Sequence, residues 1–471
     1  MRFDEHFLQM ALPDAILVEK NFPESISFSV DTRSLQKGDI FIALQGSQID
    51  GHAFIAAALE QGAAGVFLDS AKKQILETIK PALLKKKLIV VVPDTLSAIT
   101  KMAAVWRSQF AYPVIAITGS VGKTSTKEVI ANILETNGTK FIASQGNQNT
   151  KIGLSINIMR MRPEHQVAIF ELGINKRGEM AQLVNILRPT TGVITYIGHS
   201  HMEGLGSLTD IAQEKRDIFK YFQHDSIGII NGDQAILANV GYTHPVIRFG
   251  SKTINQIQAR KIHVGNNHVT FVLKLYKDKI PVTLKNTNVG RVFNSLAAAA
   301  VAYILGISKD RIVQGLQKPV IVTGRFEMRP MVRGKGSIIN DCYNASPESM
   351  KAALLALEHV DTDAQKVAVL GDMLELGVNS PFWHRQLGRF LRKVPSLKKV
   401  VLVGDMVKWT KKTVPLGVAV EQVTTWQDAV KRLEEIAQSD SVILVKGSRG
   451  MRLDNLVEHF APKPKETVRQ A

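Results

Sequence analysis

At 471 residues the chain is too long for one hydrophobic core and matches about three units of roughly 150 residues each. Hydrophobic residues make up 45% and charged residues 21%, the balance of a folded globular protein, and the single cysteine, Cys342, excludes an internal disulfide and fits a reducing compartment. A net charge of +17 points to anionic ligands such as a nucleotide or a UDP-sugar; nucleic acid is a further candidate, but only 6% of residues are aromatic. Clusters such as Lys85-Lys86-Lys87 read as solvated faces. The first residues carry acids and show no basic start followed by an apolar run, so no secretory leader is expected. No stretch approaches the roughly 18 apolar residues of a membrane span. The expectation is a cytoplasmic monomer without an integral membrane segment.

Taken in chain order, the first block runs to about residue 110. Strands are expected at 39–44 and 88–92, and helices at 52–61 and 95–110, the latter capped by Asp94 or Thr95. The second block, 111–317, opens with a buried strand at 113–118, a glycine turn and a helix at 123–135. Further buried strands are expected at 167–170, 192–196 and 226–230, with helical segments between several of them. The third block, 318–471, carries strands at 337–339, 366–370, 399–403 and 441–445, again separated by helices. The class is therefore α/β: an N-terminal α/β unit, a central unit with a mostly parallel sheet of the P-loop ATPase kind, and a doubly wound Rossmann-like unit.

The run Thr118-Gly119-Ser120-Val121-Gly122-Lys123-Thr124-Ser125 joins the central strand to its helix. Two glycines let backbone approach phosphate oxygens, and the free N–H groups of the helix start point at the anion. Lys123 can reach the β- and γ-phosphates, and Thr124 can ligate Mg²⁺. The spacing G-x-x-G-K-T is shorter than the usual G-x-x-x-x-G-K-[ST]; an ordinary strand-to-helix turn is the plain alternative.

In the next helical stretch, Ser207 and Asp210 make a capping-box-like start. Leu208, Ile211, Lys215, Ile218, Phe219 and Phe222 share one face. A lysine in that stripe either snorkels to solvent or, if buried, loses its proton easily and can add CO₂ to become a carbamate. Glu171, at a strand's carboxyl end, is a surface charge or a group facing the ligand crevice. His199 and His201 lie in a glycine-rich loop, where histidines are as a rule plain surface residues.

With these motifs on one chain, the sequence resembles the Mur ligases. The resemblance rests on Thr-Gly-Ser-Val-Gly-Lys-Thr-Ser at 118–125, Gly-Asn-Gln-Asn at 146–149, Glu171-Leu-Gly, His201-Met-Glu-Gly-Leu-Gly-Ser and Glu214-Lys215. The runs Val-Asp-Thr-Arg-Ser at 30–34, Asp50-Gly-His52, Asn-Asp-Cys-Tyr-Asn-Ala-Ser-Pro at 340–347, Val-Leu-Gly-Asp-Met-Leu-Glu-Leu-Gly at 369–377 and Val-Lys-Gly-Ser-Arg at 445–449 are similar to the branch that joins D-alanyl-D-alanine to a UDP-N-acetylmuramoyl tripeptide. The chain departs from the family pattern at Asn340 and Ser346, at Thr150, and at Gly290 and Arg291, where H-N-x-x-N is usual and only Asn294 matches. The last departure bears on the adenine contact.

The resemblance implies an ATP- and Mg²⁺-dependent ligase working through an acyl phosphate. Lys123, Glu171, His201 and a carbamylated Lys215 would be catalytic, with Thr124, Glu171, His201 and Lys215 holding metal. Thr118 to Ser125, Asn294, Arg325 and Asp341 would bind ATP. Asp31, Arg33, Ser34, Asp50, His52, Asn147, Asn149, Tyr343 and Asn344 would bind the UDP-muramoyl tripeptide or D-Ala-D-Ala. Read alone, Arg325 and Asp341 could equally form an interdomain ion pair, and His384 receives no role. The rival readings are another amide ligase of the superfamily, such as folylpolyglutamate synthase, a basic P-loop ATPase that binds nucleic acid, and a nucleotide-binding scaffold without catalysis.

Overall fold

The structure, a computed structural model, describes residues 2–24, 26–46, 48–146 and 148–462. Among these residues three sheets form, with five, nine and six strands in chain order. None of their helices is long and apolar enough to cross a membrane.

The first sheet has the spatial order Ile16–Lys20, Leu88–Val92, Gly65–Asp69, Ile40–Ile42 and Phe28–Ser29. Its last four strands are parallel, so the segments after Ser29, Ile42 and Asp69 leave along one edge. The all-apolar strand Leu88–Val92 is buried along its length, as its position between two neighbours requires. Helix Thr95–Arg107 follows, and Asp94 caps it by accepting the Ser97 N–H at 2.6 Å.

The central sheet runs Asp278–Leu284, His268–Leu275, Ile257–Gly265, Val246–Gly250, Ile227–Asn231, Thr191–Ile194, Val114–Thr118, Val167–Glu171 and Phe141–Ala143. From Phe141–Ala143 to Ile257–Gly265 every pairing is parallel. Beyond that, two antiparallel hairpins extend the sheet, an extension the sequence reading did not include. The third sheet, Glu327–Pro330, Ser337–Asn340, Val442–Lys446, Lys366–Gly371, Leu397–Val403 and Ala419–Val423, is parallel except for its first pair.

The units are joined unequally. Helix Thr95–Arg107 packs on Lys151–Met159, and one continuous apolar cluster runs from Phe3 and Phe7 through Trp106 to Leu154 and Leu183. Trp106 Nε1 donates to Met161 O at 3.1 Å, and the buried Arg107 guanidinium donates to the carbonyls of Phe110, Leu187 and Arg188. The C-terminal sheet has its own two clusters, drawn from residues 326–461 alone. It meets the central unit through side-chain and backbone hydrogen bonds, among them Glu203 N–H to Glu375 O at 3.2 Å, and through the tilted His199–Trp383 ring pair, a joint of the kind that permits domain motion.

Candidate active site

In the central sheet, Val114–Thr118 lies between Thr191–Ile194 and Val167–Glu171, with Ile117 opposite Glu171 and Thr118 opposite Ile194. Three carboxyl ends therefore open on one edge, where ligands bind in open parallel sheets. Gly119 and Gly122 carry φ of 149° and 90°. A Cβ on Gly119 would sit 2.0 Å from Thr195 Oγ1, and one on Gly122 2.6 Å from Asn294 Oδ1, so this turn has no room for a side chain. Gly122 then starts helix Lys123–Asn137. Lys123 Nζ donates to Gly119 O at 2.8 Å, across its own loop. Burial lowers its pKa; Glu171 opposes the shift and Arg325 adds to it.

Glu171 is only 2% exposed. Its two oxygens accept from Thr124 Oγ1 at 2.7 Å and from Asn149 Nδ2 at 3.0 Å, so three separately identified residues meet at one carboxylate. Lys215, on helix Leu208–Arg216, is 1% exposed and does not snorkel. Its pKa falls well below the ordinary lysine value because of burial and then the neighbouring Lys123, with Glu214 and Glu171 opposing. Lys123, Glu171 and Lys215 thus lie within electrostatic reach of one another. The Ser207–Asp210 capping box that starts this helix is formed in both directions.

Two carboxylates matter that the sequence reading left without a role. Glu214 accepts from the N–H groups of Gly178 and Met180, each at 2.9 Å, and so pins the start of helix Glu179–Leu187. Glu375, in the C-terminal unit, pairs with His201 Nδ1 at 2.6 Å, and that hydrogen bond lowers its pKa. His201 itself has φ of 60°. His199 Nδ1 meets Glu348 at 2.5 Å while its ring packs on Trp383 at 4.3 Å between centroids. The structure therefore turns both loop histidines toward the C-terminal unit. Among the described residues no group of three His, Cys, Asp or Glu side chains closes around a cation position.

Between the two units lies a cavity of about 510 Å³. Ser120, Val121, Gly122 and Ser125 line one part, and Asn294, Arg325, Asp341, Tyr343 and Asn344 line others, so most of the residues expected at ATP and dipeptide share one chamber. Thr118 does not line it: fully buried, it donates to Leu172 O at 3.1 Å and holds the strand end. Arg325 lies over the Tyr343 ring at 4.2 Å. Asp341 accepts the Phe326 N–H at 3.0 Å and pairs with Lys446 at 2.8 Å. Lys446, within the 445–449 run, is 2% exposed and also donates to Asn344 O at 2.9 Å, a role that the run by itself does not specify.

In the N-terminal unit the segments after two parallel strands, Phe28–Ser29 and Ile40–Ile42, carry the residues expected there. Asp31 pairs with the exposed Arg33 at 2.5 Å, and Ser34 Oγ donates to Asp31 O at 3.2 Å. The Arg33 side chain and N–H draw the Asp31 pKa down to about 2. Asp50 also lies at about 2: burial works against ionisation, but hydrogen bonds from the His52 N–H, the His52 ring and Lys72 outweigh it. His52 is buried and uses both ring nitrogens inside the unit, Nδ1 toward Asp50 and Nε2 accepting the Asp69 N–H at 3.0 Å. His52 thus orders this edge from beneath and presents no ring nitrogen to a ligand. His384 is likewise structural, its Nε2 accepting the Met373 N–H at 3.2 Å. Asn147 lies outside the described residues.

Comparison with known proteins agrees over nearly the whole chain. Residues 27–107 match the family model described as Mur ligase family, catalytic domain; residues 117–302 match the Mur ligase middle domain; residues 324–449 match the Mur ligase, glutamate ligase domain. The UDP-N-acetylmuramoyl-tripeptide–D-alanyl-D-alanine ligase of Bacillus subtilis is 32% identical over 93% of each chain. That of Escherichia coli is 33% identical over 91% of this chain and 92% of its own. Among solved structures, MurF from Acinetobacter baumannii superposes with a TM-score of 0.83 at 28% identity, covering 97% of this chain and 98% of that one. MurF from Thermotoga maritima in complex with ADP gives 0.76 at 26% identity, covering 92% and 96%.

Proposed function

This chain belongs to the Mur ligase family, and from that membership we propose that it joins D-alanyl-D-alanine to UDP-N-acetylmuramoyl-tripeptide with cleavage of ATP, giving the pentapeptide precursor of peptidoglycan. The observation that carries the reading is the meeting of Lys123, Glu171 and the buried Lys215 beneath a phosphate-binding turn. We assign residues 1–110 to the UDP-muramoyl end of the substrate, 111–317 to ATP, and 318–471 to the incoming dipeptide. We place the protein in the cytoplasm, a reading that the buried, unpaired Cys342 supports.

An amide cannot form from a free carboxylate in water without activation. The tripeptide's terminal carboxylate attacks the γ-phosphorus of ATP and ADP leaves. The amine of D-Ala-D-Ala then attacks the acyl carbon, and phosphate leaves. Both steps gather negative charge, so positioning and electrostatics dominate catalysis. We assign the N–H groups at the start of helix Lys123–Asn137 and Lys123, whose Nζ donates to Gly119 O across the turn, to the transferring phosphoryl group. Arg325, stacked on Tyr343, brings a second cation from the C-terminal unit. We assign Asp341, braced by Lys446, to the ribose, and Asn344, whose carbonyl accepts from Lys446, to the dipeptide.

The residues present fit a hard divalent cation. Glu171 and Thr124 offer oxygens, and a buried, readily deprotonated Lys215 can add CO₂ and release a proton to become an anionic carbamate. Glu375 occupies Nδ1 of His201 and leaves Nε2 for coordination, the arrangement in which a carboxylate orients a metal-binding imidazole. Mg²⁺ held by Thr124, Glu171, His201 and the Lys215 carbamate would supply charge neutralisation at the phosphoryl and acyl groups. The deciding assay combines the protein with ATP, Mg²⁺ and UDP-N-acetylmuramoyl-tripeptide and follows phosphate release. Release should depend on D-Ala-D-Ala; release indifferent to that dipeptide, or stimulated by another amino substrate instead, defeats the assignment.

A further inference from the structure

The positive charge of the chain is unevenly spread. From Arg385 to Lys412 there are nine lysines and arginines and one acid, Asp405, so this short segment holds close to half of the net +17. Folding gathers much of it on one face of the C-terminal unit. Helix Ser380–Phe390 buries His384, Leu387 and Gly388. Arg385 and Arg389 lie one turn apart on an adjoining stripe, and Arg392, in the turn that continues the helix, prolongs it. The short helix Lys408–Lys411 packs alongside. Thr410 Oγ1 donates to His384 O at 3.0 Å, Thr413 Oγ1 donates to Arg385 O at 2.8 Å, and Gly388 leaves no room for a side chain against Thr410. Lys408, Lys411 and Lys412 are exposed beside it. Among the described residues none of these six cations forms an ion pair. The other face of the same sheet is mixed, with Arg432 of helix Trp426–Ile436 paired to Glu421 and Glu435.

An unpaired cationic face attracts an anionic partner. Two features say which kind. Trp409 stands among the cations, but Arg385 lies 5.1 Å and Lys412 4.4 Å from its ring centroid. The ring is engaged by charge and is not free to stack on bases, as single-stranded nucleic acid would require. Four residues beyond Lys412, Leu416 is fully exposed in the turn Pro415-Leu416-Gly417. Phe382, three residues before Arg385 and seven before Arg389 on the same helix side, is 45% exposed. Apolar side chains at the margin of a basic face gain nothing from a phosphodiester backbone. At a bilayer they bury their surface between headgroups and acyl chains while the cations meet headgroup phosphates.

We propose that this face of the C-terminal unit docks on an anionic phospholipid surface, with Leu416 and Phe382 as shallow apolar contacts. The experiment is co-sedimentation of the full-length protein with vesicles of phosphatidylcholine alone and of phosphatidylcholine mixed with phosphatidylglycerol. The protein should sediment with the mixed vesicles only, and less so as salt screens the charges. Lys411→Gln combined with Lys412→Gln should weaken binding by about 10- to 30-fold. The matched pair Lys85→Gln with Lys86→Gln, in the N-terminal unit, should change it little. Leu416→Ser should weaken it by about 5- to 10-fold. These positions are exposed and apart from the catalytic cleft, so melting temperature and ligation in vesicle-free solution should stay as in the wild type. Failure to bind the mixed vesicles overturns the proposal, as does an equal loss in the two lysine pairs, which would mean attraction by net charge alone. Binding indifferent to Leu416→Ser overturns it too. Should a variant melt early, competition on the wild type decides: a DNA duplex that binds more tightly than the mixed vesicles assigns the face to nucleic acid and defeats the lipid reading.

Discussion

Asn149 and Lys215 show how single side chains set the chemistry here. Asn149 touches one oxygen of Glu171 while Thr124 touches the other, so the carboxylate is held from both sides. Removing a group that orients a metal-binding carboxylate costs about 10- to 100-fold in cation affinity or activity. Asn149→Ala should show that loss as a raised Mg²⁺ requirement for phosphate release, with melting temperature nearly unchanged. Lys215→Ala should abolish ligation without rescue by bicarbonate, and ¹³C-labelled bicarbonate should give a carbamate resonance in the wild type that the variant lacks. Because burial lowers the Lys215 pKa, the neutral amine persists to lower pH than for a surface lysine. The carbamate signal should therefore survive acidification to a pH at which free lysine has lost its own. Lys215 was legible in the sequence as one cation in an apolar stripe. Lys446 and Glu214 lie in runs that carry the family resemblance, but their roles were not legible, because their partners lie 105 and 36 residues away in the chain.

Helices and strands place these groups, and their ends carry much of the placement. Ser207 starts the Lys215 helix through a reciprocal box with Asp210. Ser207→Ala should cost about 0.5–2 kcal/mol, read as a lower unfolding midpoint in urea. In the N-terminal unit, the cap residue Asp50 is held ionised by His52 and Lys72. A depressed carboxyl pKa contributes stability above the unfolded value, near 3.8, and loses it as pH falls toward about 2. Asp50→Asn should be less stable than wild type at neutral pH, with the difference shrinking across that acid window in thermal melts. Capping signals and buried apolar runs made most elements legible, including the strand before the phosphate turn. The hairpins over 257–284 were missed although His268–Leu275 alternates buried and half-buried residues along its length. That period of two was the available signal, but neighbouring parallel strands, buried on both faces, drew attention to continuous apolar runs instead.

At the scale of the whole molecule, an apolar seam fuses the first two units while the third is seated largely by hydrogen bonds from side chains and backbone. The clasp of His199, Glu348 and Trp383 lies beside the His201–Glu375 pair, on one side of that seat. On another side, Thr287 Oγ1 donates to Ala356 O at 2.8 Å and Asn267 Oδ1 accepts the Asp361 N–H at 3.2 Å. Trp383→Ala should loosen the seat, raising KM for ATP several-fold and increasing the radius of gyration in small-angle scattering without lowering the unfolding midpoint. Three-unit organisation was visible in the rhythm of the chain; which units share a core was not, because it depends on faces that meet only after folding. The peptide crossing to the third unit is open to water, with Ile321 79% exposed. A specific cut in that crossing would leave two folded halves touching at a handful of polar groups. Whether they then travel together on a sizing column, with and without nucleotide, would turn substrate binding into a measurable affinity between two separable fragments.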